Sequence, residues 1–366
     1  MRLAIFGSSI VSAYWNGAAT YYRGMCRALH ARGHRIRFIE QDIYDRQQHR
    51  DFPEPPDYCD VRVVAGWPAL ERELAAARAD ADLVVKCNDT GAYDREMEEW
   101  LVGGAGGAAA SGPPVAFWDV DAPATLAECA APDSYLRRLV PRFACVLTYG
   151  GGPPVVAGYR ALGARRVVPV YNAVDPDAYA PVPPSPDFVC DLFFMGNRLP
   201  DREARFRRFF LEAAALAPEA RLLLGGEGWG DLALPANVRA IGHCPTPLHP
   251  VLNCSARLVL NLTRDAMAAA GYSPPTRVFE VAACGACLVT DAWEGLEQFF
   301  QPGDEVLEAR GPEDLAHYLA TVSWERARAI GARARARALR DHTYASRAAI
   351  FEAAALDVLA GAAGAF

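Results

Sequence analysis

Short apolar runs alternate with helical patterns along the N-terminal half of the chain. The apolar runs occupy residues 3–7, 36–40, 81–87, 114–120, 145–150 and 166–172. Amphipathic helical patterns fall between several of them, at residues 21–33, 68–80 and 93–101. Strands that alternate with helices form parallel sheets covered by helices on both faces. Residues 1–178 are therefore predicted to form a doubly wound α/β domain.

The same alternation begins again after a segment rich in proline. Five prolines lie between Asp175 and Asp187, and proline limits helices and central strands alike, so residues 179–187 are predicted to be a semi-rigid linker. Residues 188–350 then form a second doubly wound domain, and residues 351–366 a C-terminal helix that packs back on the first. The strands of the second domain are predicted at 191–196, 221–226, 238–242, 257–263, 287–291 and 305–309. The helices of this domain are predicted at 201–216, at 247–254 and after residue 276.

Composition narrows the class of ligand. A chain of 366 residues, 52% of them hydrophobic, exceeds what one core usually supports, which agrees with two domains. Its net charge of −7 gives no general attraction to nucleic acid or to an anionic membrane, and no apolar segment is long enough to span a bilayer. Two facing α/β domains would hold a small ligand in the cleft between them, beyond the carboxyl ends of the strands.

The ten cysteines indicate the compartment. Most lie in apolar surroundings, which favours buried, reduced thiols over a disulfide framework. We therefore expect a cytoplasmic protein. Cys284 and Cys287 are the one close pair, and with no second pair or histidine cluster nearby they favour a structural role over a metal or redox site.

The segment "GYSPPTRVFEVAACGA" at residues 271–286 carries the strongest chemical signal. Its prolines suit the approach to a helix, which Ser273 or Thr276 is expected to cap. The free amides of a helix start bind anions, and Arg277 adds a forked donor group suited to phosphate. Glu280 lies one turn further on in apolar surroundings, and its carboxylate is predicted to accept hydrogen bonds from a vicinal diol such as ribose. The alternative is a capped core helix with Glu280 in solvent.

Polar residues follow other strands of the second domain. Asn197 and Arg198 follow one strand, Gly242 and His243 a second, and Arg264 with Asp265 a third. Arg198 is a candidate to bridge a diphosphate, and His243 to contact a base or a substrate oxygen. Because the carboxyl ends of parallel strands share one edge of a sheet, such groups are expected to converge.

The order "MGNR … IGH … NLTRDAM … GYSPPTRVFEVAACGACLVTD" resembles the C-terminal domain of GT-B glycosyltransferases, in particular the bacterial spore-maturation CgeB-like group. The resemblance covers residues 190–350, and 271–308 is its most specific part. It implies two Rossmann-like domains that face a cleft, and a hexosyltransferase whose nucleotide-diphosphate sugar, a UDP-sugar by preference, is held by the second domain. It implies no metal and no further cofactor, because such enzymes neutralise the leaving diphosphate with helix amides and basic side chains.

Site roles also follow from this resemblance. Glu280 matches the ribose-binding glutamate of the family, while Gly242 and His243 fall near the base. Diphosphate contacts fall at Arg198, Thr276 and Arg277. Many retaining members carry a second glutamate eight positions before the ribose glutamate, and this chain has Tyr272 there, so both stereochemical outcomes stay open.

The first domain is expected to bind the acceptor, whose hydroxyl must lose a proton. Asp121 is our preferred general base, with Asp119 and, from the second domain, His243 as further catalytic candidates. The residues predicted on the acceptor side are Ser8, Trp15, Asn16 and Asp89. Trp118 fits either an acceptor platform or ordinary core packing.

Two other functions fit the same frame. A sugar-nucleotide epimerase would need acid and base groups around C2 of the sugar, and the sequence offers no convincing carboxylate pair. A non-catalytic sugar-nucleotide-binding protein would keep Arg277 and Glu280 without turnover.

Overall fold

A computed structural model describes residues 1–14, 16–103 and 112–363. The predicted acceptor residue Trp15 lies outside the described residues. The chain forms two compact units: unit 1 comprises Met1–Tyr171 and Tyr344–Phe366, and unit 2 comprises Asn172–Thr343. The sequence predicts boundaries at residues 178, 188 and 351. In the structure the predicted linker belongs to unit 2, and the return to unit 1 begins at Tyr344.

Unit 1 is built on a parallel sheet of seven strands among the described residues, in the order β3-β2-β1-β4-β5-β6-β7. Every side chain of β4 and β5 is buried, as expected for central strands covered on both faces. The strands are β1 Arg2–Phe6, β2 Arg35–Gln41, β3 Asp60–Val64, β4 Leu83–Cys87, β5 Val115–Asp119, β6 Cys145–Thr148 and β7 Val167–Pro169.

Helices of unit 1 connect these strands. They are α1 Ala19–Ala31, α2 Trp67–Asp80, α3 Asp94–Glu98, α4 Ala122–Cys129, α5 Tyr135–Leu139 and α6 Gly152–Ala161. A π-helical turn continues α3 over Glu99–Gly103, and a 3₁₀ turn follows α5 over Val140–Arg142.

Unit 2 has a parallel sheet of six strands in its described residues, in the order β10-β9-β8-β11-β12-β13. This is the strand order of the dinucleotide-binding fold, and its direction reverses between β8 and β11. The strands are β8 Cys190–Met195, β9 Leu222–Gly225, β10 Val238–Gly242, β11 Ala256–Asn261, β12 Leu288–Asp291 and β13 Leu307–Ala309.

The helices of unit 2 follow its strands. They are α7 Pro200–Phe206, α8 Glu212–Leu216, α9 His249–Ser255, α10 Asp265–Ala270, α11 Thr276–Ala283, α12 Pro312–Thr321 and α13 Trp324–Asp341. A π-helical turn, Arg207–Leu211, joins α7 to α8, and 3₁₀ turns lie at Pro186–Phe188, Thr246–Leu248 and Leu296–Gln298. The last helix, α14 Tyr344–Ala363, packs on α1 of unit 1, where the Tyr344 ring fills the space that a side chain at Gly24 would need.

The predicted fold class, two doubly wound parallel-sheet domains, is confirmed. The sequence prediction missed β3, an edge strand in which only Val64 is buried. Its weak apolar pattern reflects that exposure, because one flank of an edge strand has no neighbour to cover it. None of the helices in the described ranges combines the length and the apolar character that a membrane crossing needs.

Candidate functional site

The site is built where unit 2's strand order reverses, at the carboxyl ends of β8 and β11. Backbone hydrogen bonds join the loops after three strands: the Gly196 N–H donates to the Gly225 carbonyl (3.1 Å), and the Gly226 N–H to the Gly242 carbonyl (2.7 Å). Gly226 has φ +109°, and a Cβ there would lie 2.3 Å from the Gly196 carbonyl oxygen. Only glycine allows this approach, so the loops form one fixed floor.

The floor adjoins the start of α11. Pro275 occupies the N-cap position and no side chain caps the helix, so the predicted cap by Ser273 or Thr276 is wrong. The Ser273 hydroxyl instead donates to the Gly271 carbonyl oxygen at 2.9 Å. Because Pro275 has no side-chain acceptor, the first-turn amides of Thr276 and Arg277 stay available for an anion.

Arg277 and Glu280 lie on the first turns of α11, and both lack the partners that buried charges usually have. The Arg277 Nη1 atom is buried without a hydrogen-bond acceptor. Glu280 is only 8% exposed, and within the described ranges it forms no ion pair. Burial raises the pKa of Glu280, and the Arg277 charge and the nearby Tyr179 hydroxyl oppose that rise. A buried carboxyl group without an ion pair and a buried guanidinium nitrogen without an acceptor favour a ligand-binding role over a role in the core.

Two residues that were not predicted from the sequence, Tyr179 and His249, lie near Arg277. Tyr179 comes from the proline-rich segment and is 4% exposed, and its hydroxyl lies 3.3 Å from Nδ1 of His249. His249 begins α9, and its Nε2 lies 3.0 Å from the Cys244 carbonyl oxygen. Burial and the nearby Arg277 charge lower the pKa of His249 to about 4. A lone tyrosine and a lone histidine give no sequence signal, because the contact between them joins residues 70 positions apart.

Arg198, the arginine predicted to bridge the diphosphate, is engaged by two carboxylates of its own unit. Arg198 is already ion-paired with Glu203 (2.9 Å) and Asp231 (2.6 Å), which together raise its pKa and neutralise its charge. Arg202, not identified from the sequence, has a buried Nε without an acceptor. Its Nη1 packs over Gly196, where a Cβ would come within 2.6 Å.

Positive charge is concentrated around Arg202 and not around Arg198. Burial lowers the pKa of Arg202, and the charges of Arg277 and Arg264 act in the same direction, which places the three guanidinium groups near one another. Arg264 forms an ion pair with Asp201 at 2.5 Å. Neither Arg202 nor Arg277 forms an ion pair within the described ranges, and two such guanidinium groups next to the free amides of α11 suit an anion.

The other predicted donor residues lie around the same floor. The Asn197 side chain accepts a hydrogen bond from the Glu227 amide at 3.0 Å and ties two loops together. Gly242 ends β10 with φ +68°, and His243 beside it is exposed. Tyr272 has φ +48°, and its amide donates to the Glu294 carbonyl at 2.6 Å. Such a strained residue needs this support from its surroundings.

In unit 1 the loop after β1 is held by its own polar groups. The Ser8 hydroxyl donates to Asn16 Oδ1 at 2.9 Å, and Asn16 Nδ2 donates to the carbonyls of Ser9 and Ser12. Both predicted acceptor residues are buried, so in this structure they shape the loop. Trp118 is 1% exposed and donates to the Tyr21 hydroxyl, which makes it a core residue.

The candidate carboxylates of unit 1 differ in their exposure to solvent. Asp119 is fully buried and accepts hydrogen bonds from Thr125, Tyr159 and the Asp121 amide. Burial raises its pKa to about 7, yet these bonds occupy its oxygens and give it a structural role. Asp121 is half-buried at the N-cap position of α4, and its side chain does not cap that helix. Asp89 is exposed after β4 with φ +50°.

Comparison with known proteins agrees with this geometry. Residues 202–353 match the family model described as glycosyl transferase-like, and no curated protein matches the sequence. The fold is similar to that of a sucrose-phosphate synthase from Thermosynechococcus elongatus, with a TM-score of 0.71 and 15% identity over 99% of this chain and all of the other.

Two further solved structures share this architecture. One is Anabaena HepE in complex with UDP-glucose, with a TM-score of 0.63 and 14% identity over 96% of this chain and 99% of that one. The other is AviGT4, a glycosyltransferase of avilamycin A biosynthesis, with a TM-score of 0.60 and 20% identity over 99% and 98% of the two chains. None of these matches supports the epimerase alternative. The chain thus has the fold of GT-B glycosyltransferases, and its residues 202–353 match the glycosyl transferase-like family model.

Proposed function

We propose that the protein transfers a hexosyl group from a nucleotide-diphosphate sugar, a UDP-sugar by preference, to an acceptor hydroxyl. The observation that carries this proposal is the pair at the start of α11: the buried Glu280 carboxyl group and the buried Arg277 Nη1, each without an ion-pair partner in the described part of the chain. A ribose diol would donate hydrogen bonds to the Glu280 carboxyl group, and a diphosphate would accept them from Arg277.

Each part of the donor has a proposed partner. Glu280 accepts hydrogen bonds from the ribose hydroxyls, and the base lies near Gly242 and His243. The diphosphate binds the amides of Thr276 and Arg277 and the guanidinium groups of Arg277 and Arg202. Ser273, Asn197, Arg198 and Arg264 support this surface through the contacts described above. UDP is preferred because HepE, which shares the fold, was solved with UDP-glucose.

Group transfer then requires one substitution at the anomeric carbon. The bond between C1 and the diphosphate oxygen breaks, a bond between C1 and the acceptor oxygen forms, and the acceptor proton leaves. The helix amides and arginines stabilise the charge that develops on the diphosphate, so we propose a reaction without a metal. In an inverting reaction a carboxylate takes the acceptor proton, and Asp121 is our proposed base in preference to the enclosed Asp119. We further propose membership of the CgeB-like group and a cytoplasmic location, the latter on the ten free cysteines.

Isothermal titration with UDP, GDP and dTDP, each with and without EDTA, tests the donor site. One nucleotide should bind, and EDTA should leave its affinity unchanged. Failure of all three to bind would refute the donor site, and loss of binding in EDTA would refute metal independence. Slow release of the nucleotide from its sugar conjugates, followed by chromatography, separates a transferase from a non-catalytic binding protein, which would release none.

A further inference from the structure

Arg50 of unit 1 has two buried nitrogens without a hydrogen-bond acceptor. This residue lies in the segment between β2 and β3. Its Nε and Nη2 atoms are buried and donate to no acceptor among the described residues, and its guanidinium group forms no ion pair there. Burying the donors of a charged group without partners costs folding free energy, which a bound acceptor group would restore. The surroundings of Arg50 are therefore a candidate binding site.

The two unsatisfied nitrogens form one side of the guanidinium group, which can hold two oxygens at once. Nε–H and Nη2–H are parallel, so together they match the two oxygens of a carboxylate or of a phosphate. Arg198 binds both oxygens of Glu203 in this way, at 2.9 Å each, and Arg340 binds those of Asp341 at 3.0 and 2.8 Å. Arg50 presents the same pair of donors, and no carboxylate of the described chain accepts from them.

Hydrogen bonds on both sides of Arg50 attach its backbone to the loop after β1. The Ser12 hydroxyl donates to the His49 carbonyl at 2.7 Å, and the Asp51 amide donates to the Val11 carbonyl at 2.9 Å. The loop after β1 contains residues that the sequence predicts on the acceptor side. Both loops follow the carboxyl ends of parallel strands, and ligands of such sheets bind at that edge.

Two carboxylates of these loops are engaged by other groups. Glu40 accepts hydrogen bonds from a backbone amide and from a side-chain amide, at 2.7 and 2.8 Å. The Asp51 carboxylate forms an ion pair with Arg23. Neither of them neutralises Arg50, and the buried Arg46 adds a further positive charge to the same segment. The charge balance therefore suits an anion supplied by a ligand.

We propose that Arg50 binds an anionic group of the acceptor, a carboxylate or a phosphate, through its Nε–H and Nη2–H. This inference rests on the proposed function only in naming the acceptor as the ligand. An acceptor with such a group supplies the oxygens that the buried donors lack, so it binds more tightly than a neutral acceptor of the same shape. The donor nucleotide binds to unit 2, and Arg50 takes no part in its binding.

The test titrates glucose 6-phosphate, glucuronate and glucose into the protein by calorimetry, with UDP in excess to occupy the arginines of unit 2. The three sugars share one ring and carry a phosphate, a carboxylate or no charge. At least one of the two anions should bind more tightly than glucose, and the tighter of the two identifies the group. Arg50→Gln should weaken the binding of that anion about 30-fold and leave the affinity for UDP unchanged.

Arg35→Gln is the matched control, because Arg35 is an exposed arginine at the amino end of β2, and it should change none of these affinities. Urea unfolding without ligand separates binding from a structural role. Arg50→Gln removes a buried charge that has no acceptor, so it should unfold at an equal or higher urea concentration than the wild type. A lower concentration would show that Arg50 supports the fold and would overturn the inference.

The titrations can overturn it independently. Binding of neither anion, equal binding of all three sugars, or anion binding that Arg50→Gln leaves unchanged would contradict the anion site while UDP binding stands. Failure of UDP to bind would refute the donor site alone, because the comparison of the wild type with Arg50→Gln still decides whether Arg50 holds the anion.

Discussion

Replacing Glu280 with glutamine should separate nucleotide binding from stability. The side chain keeps its size, and the change removes a carboxyl group that is 8% exposed and has no ion-pair partner in the described part of the chain. The protein surroundings of Glu280 disfavour the charged carboxylate, whereas hydrogen bonds from both ribose hydroxyls require it. Affinity and stability should therefore respond in opposite directions.

The size of the binding loss follows from the contacts replaced. A hydrogen bond to a charged group contributes about 1.5–3 kcal/mol. Glutamine offers one carbonyl acceptor to two ribose hydroxyls, so we expect a loss of about 2–3 kcal/mol, or about 30- to 150-fold in the dissociation constant of UDP.

The sign for stability is the reverse. Burial raises the pKa of Glu280 in the folded protein above its value in the unfolded chain. The stability associated with this group is complete below the unfolded pKa and is lost as the pH rises through the folded pKa. At pH 8 the wild-type protein bears this loss and Glu280→Gln does not, so the variant should unfold at an equal or higher urea concentration.

Calorimetry with UDP and urea unfolding at pH 8 measure both effects. Glu297→Gln removes one charge from an exposed position of the same unit and should change neither. Wild-type affinity in Glu280→Gln would contradict the ribose contact. A joint loss of affinity and stability would show instead that Glu280 supports the fold.

Three further predictions concern other groups of the molecule. Arg277→Gln should weaken UDP binding about tenfold more than Arg198→Gln, because Arg198 is ion-paired while Arg277 Nη1 has no acceptor; equal losses by calorimetry would contradict this. Burial raises the pKa of Asp119 to about 7, so the wild-type protein should lose up to about 4 kcal/mol of stability as the pH rises from about 4 to above 7. Urea unfolding at pH 5 and 8.5 should show this loss in the wild type and not in Asp119→Asn, and equal loss in both would be the contrary result. A hydrogen bond with a neighbouring thiol lowers the pKa of Cys254, whereas burial raises that of Cys59 to about 12, so iodoacetamide should modify Cys254 first, as mass spectrometry would show; the opposite order counts against the assignment.

The sheets could be predicted because most of their strands are buried on both faces. Such strands are continuous apolar runs, as in β4 and β5, and the runs alternate with helical patterns. The edge strand β3 was not predicted, because four of its five residues are not buried. Strands could therefore be predicted where burial requires a continuous apolar run, and could not be predicted at the sheet edge, where exposed positions allow polar residues.

Local sequence also predicted the start of α11, since the prolines, Arg277 and Glu280 lie within six residues of one another. The remaining assignments depended on distant partners. Arg198 is neutralised by Asp231, and Asp119 accepts a hydrogen bond from Tyr159, residues 33 and 40 positions away. A single sequence carries no signal of such pairs, so it identified residues of the right type without showing which ones are already engaged.

A crystal structure of the protein with UDP would test the central claim most directly. The account predicts both ribose hydroxyls within hydrogen-bond distance of the Glu280 carboxylate and the diphosphate against the Thr276 and Arg277 amides, with Arg202 in contact. UDP bound elsewhere on unit 2, or bound there with its ribose turned away from Glu280, would contradict it.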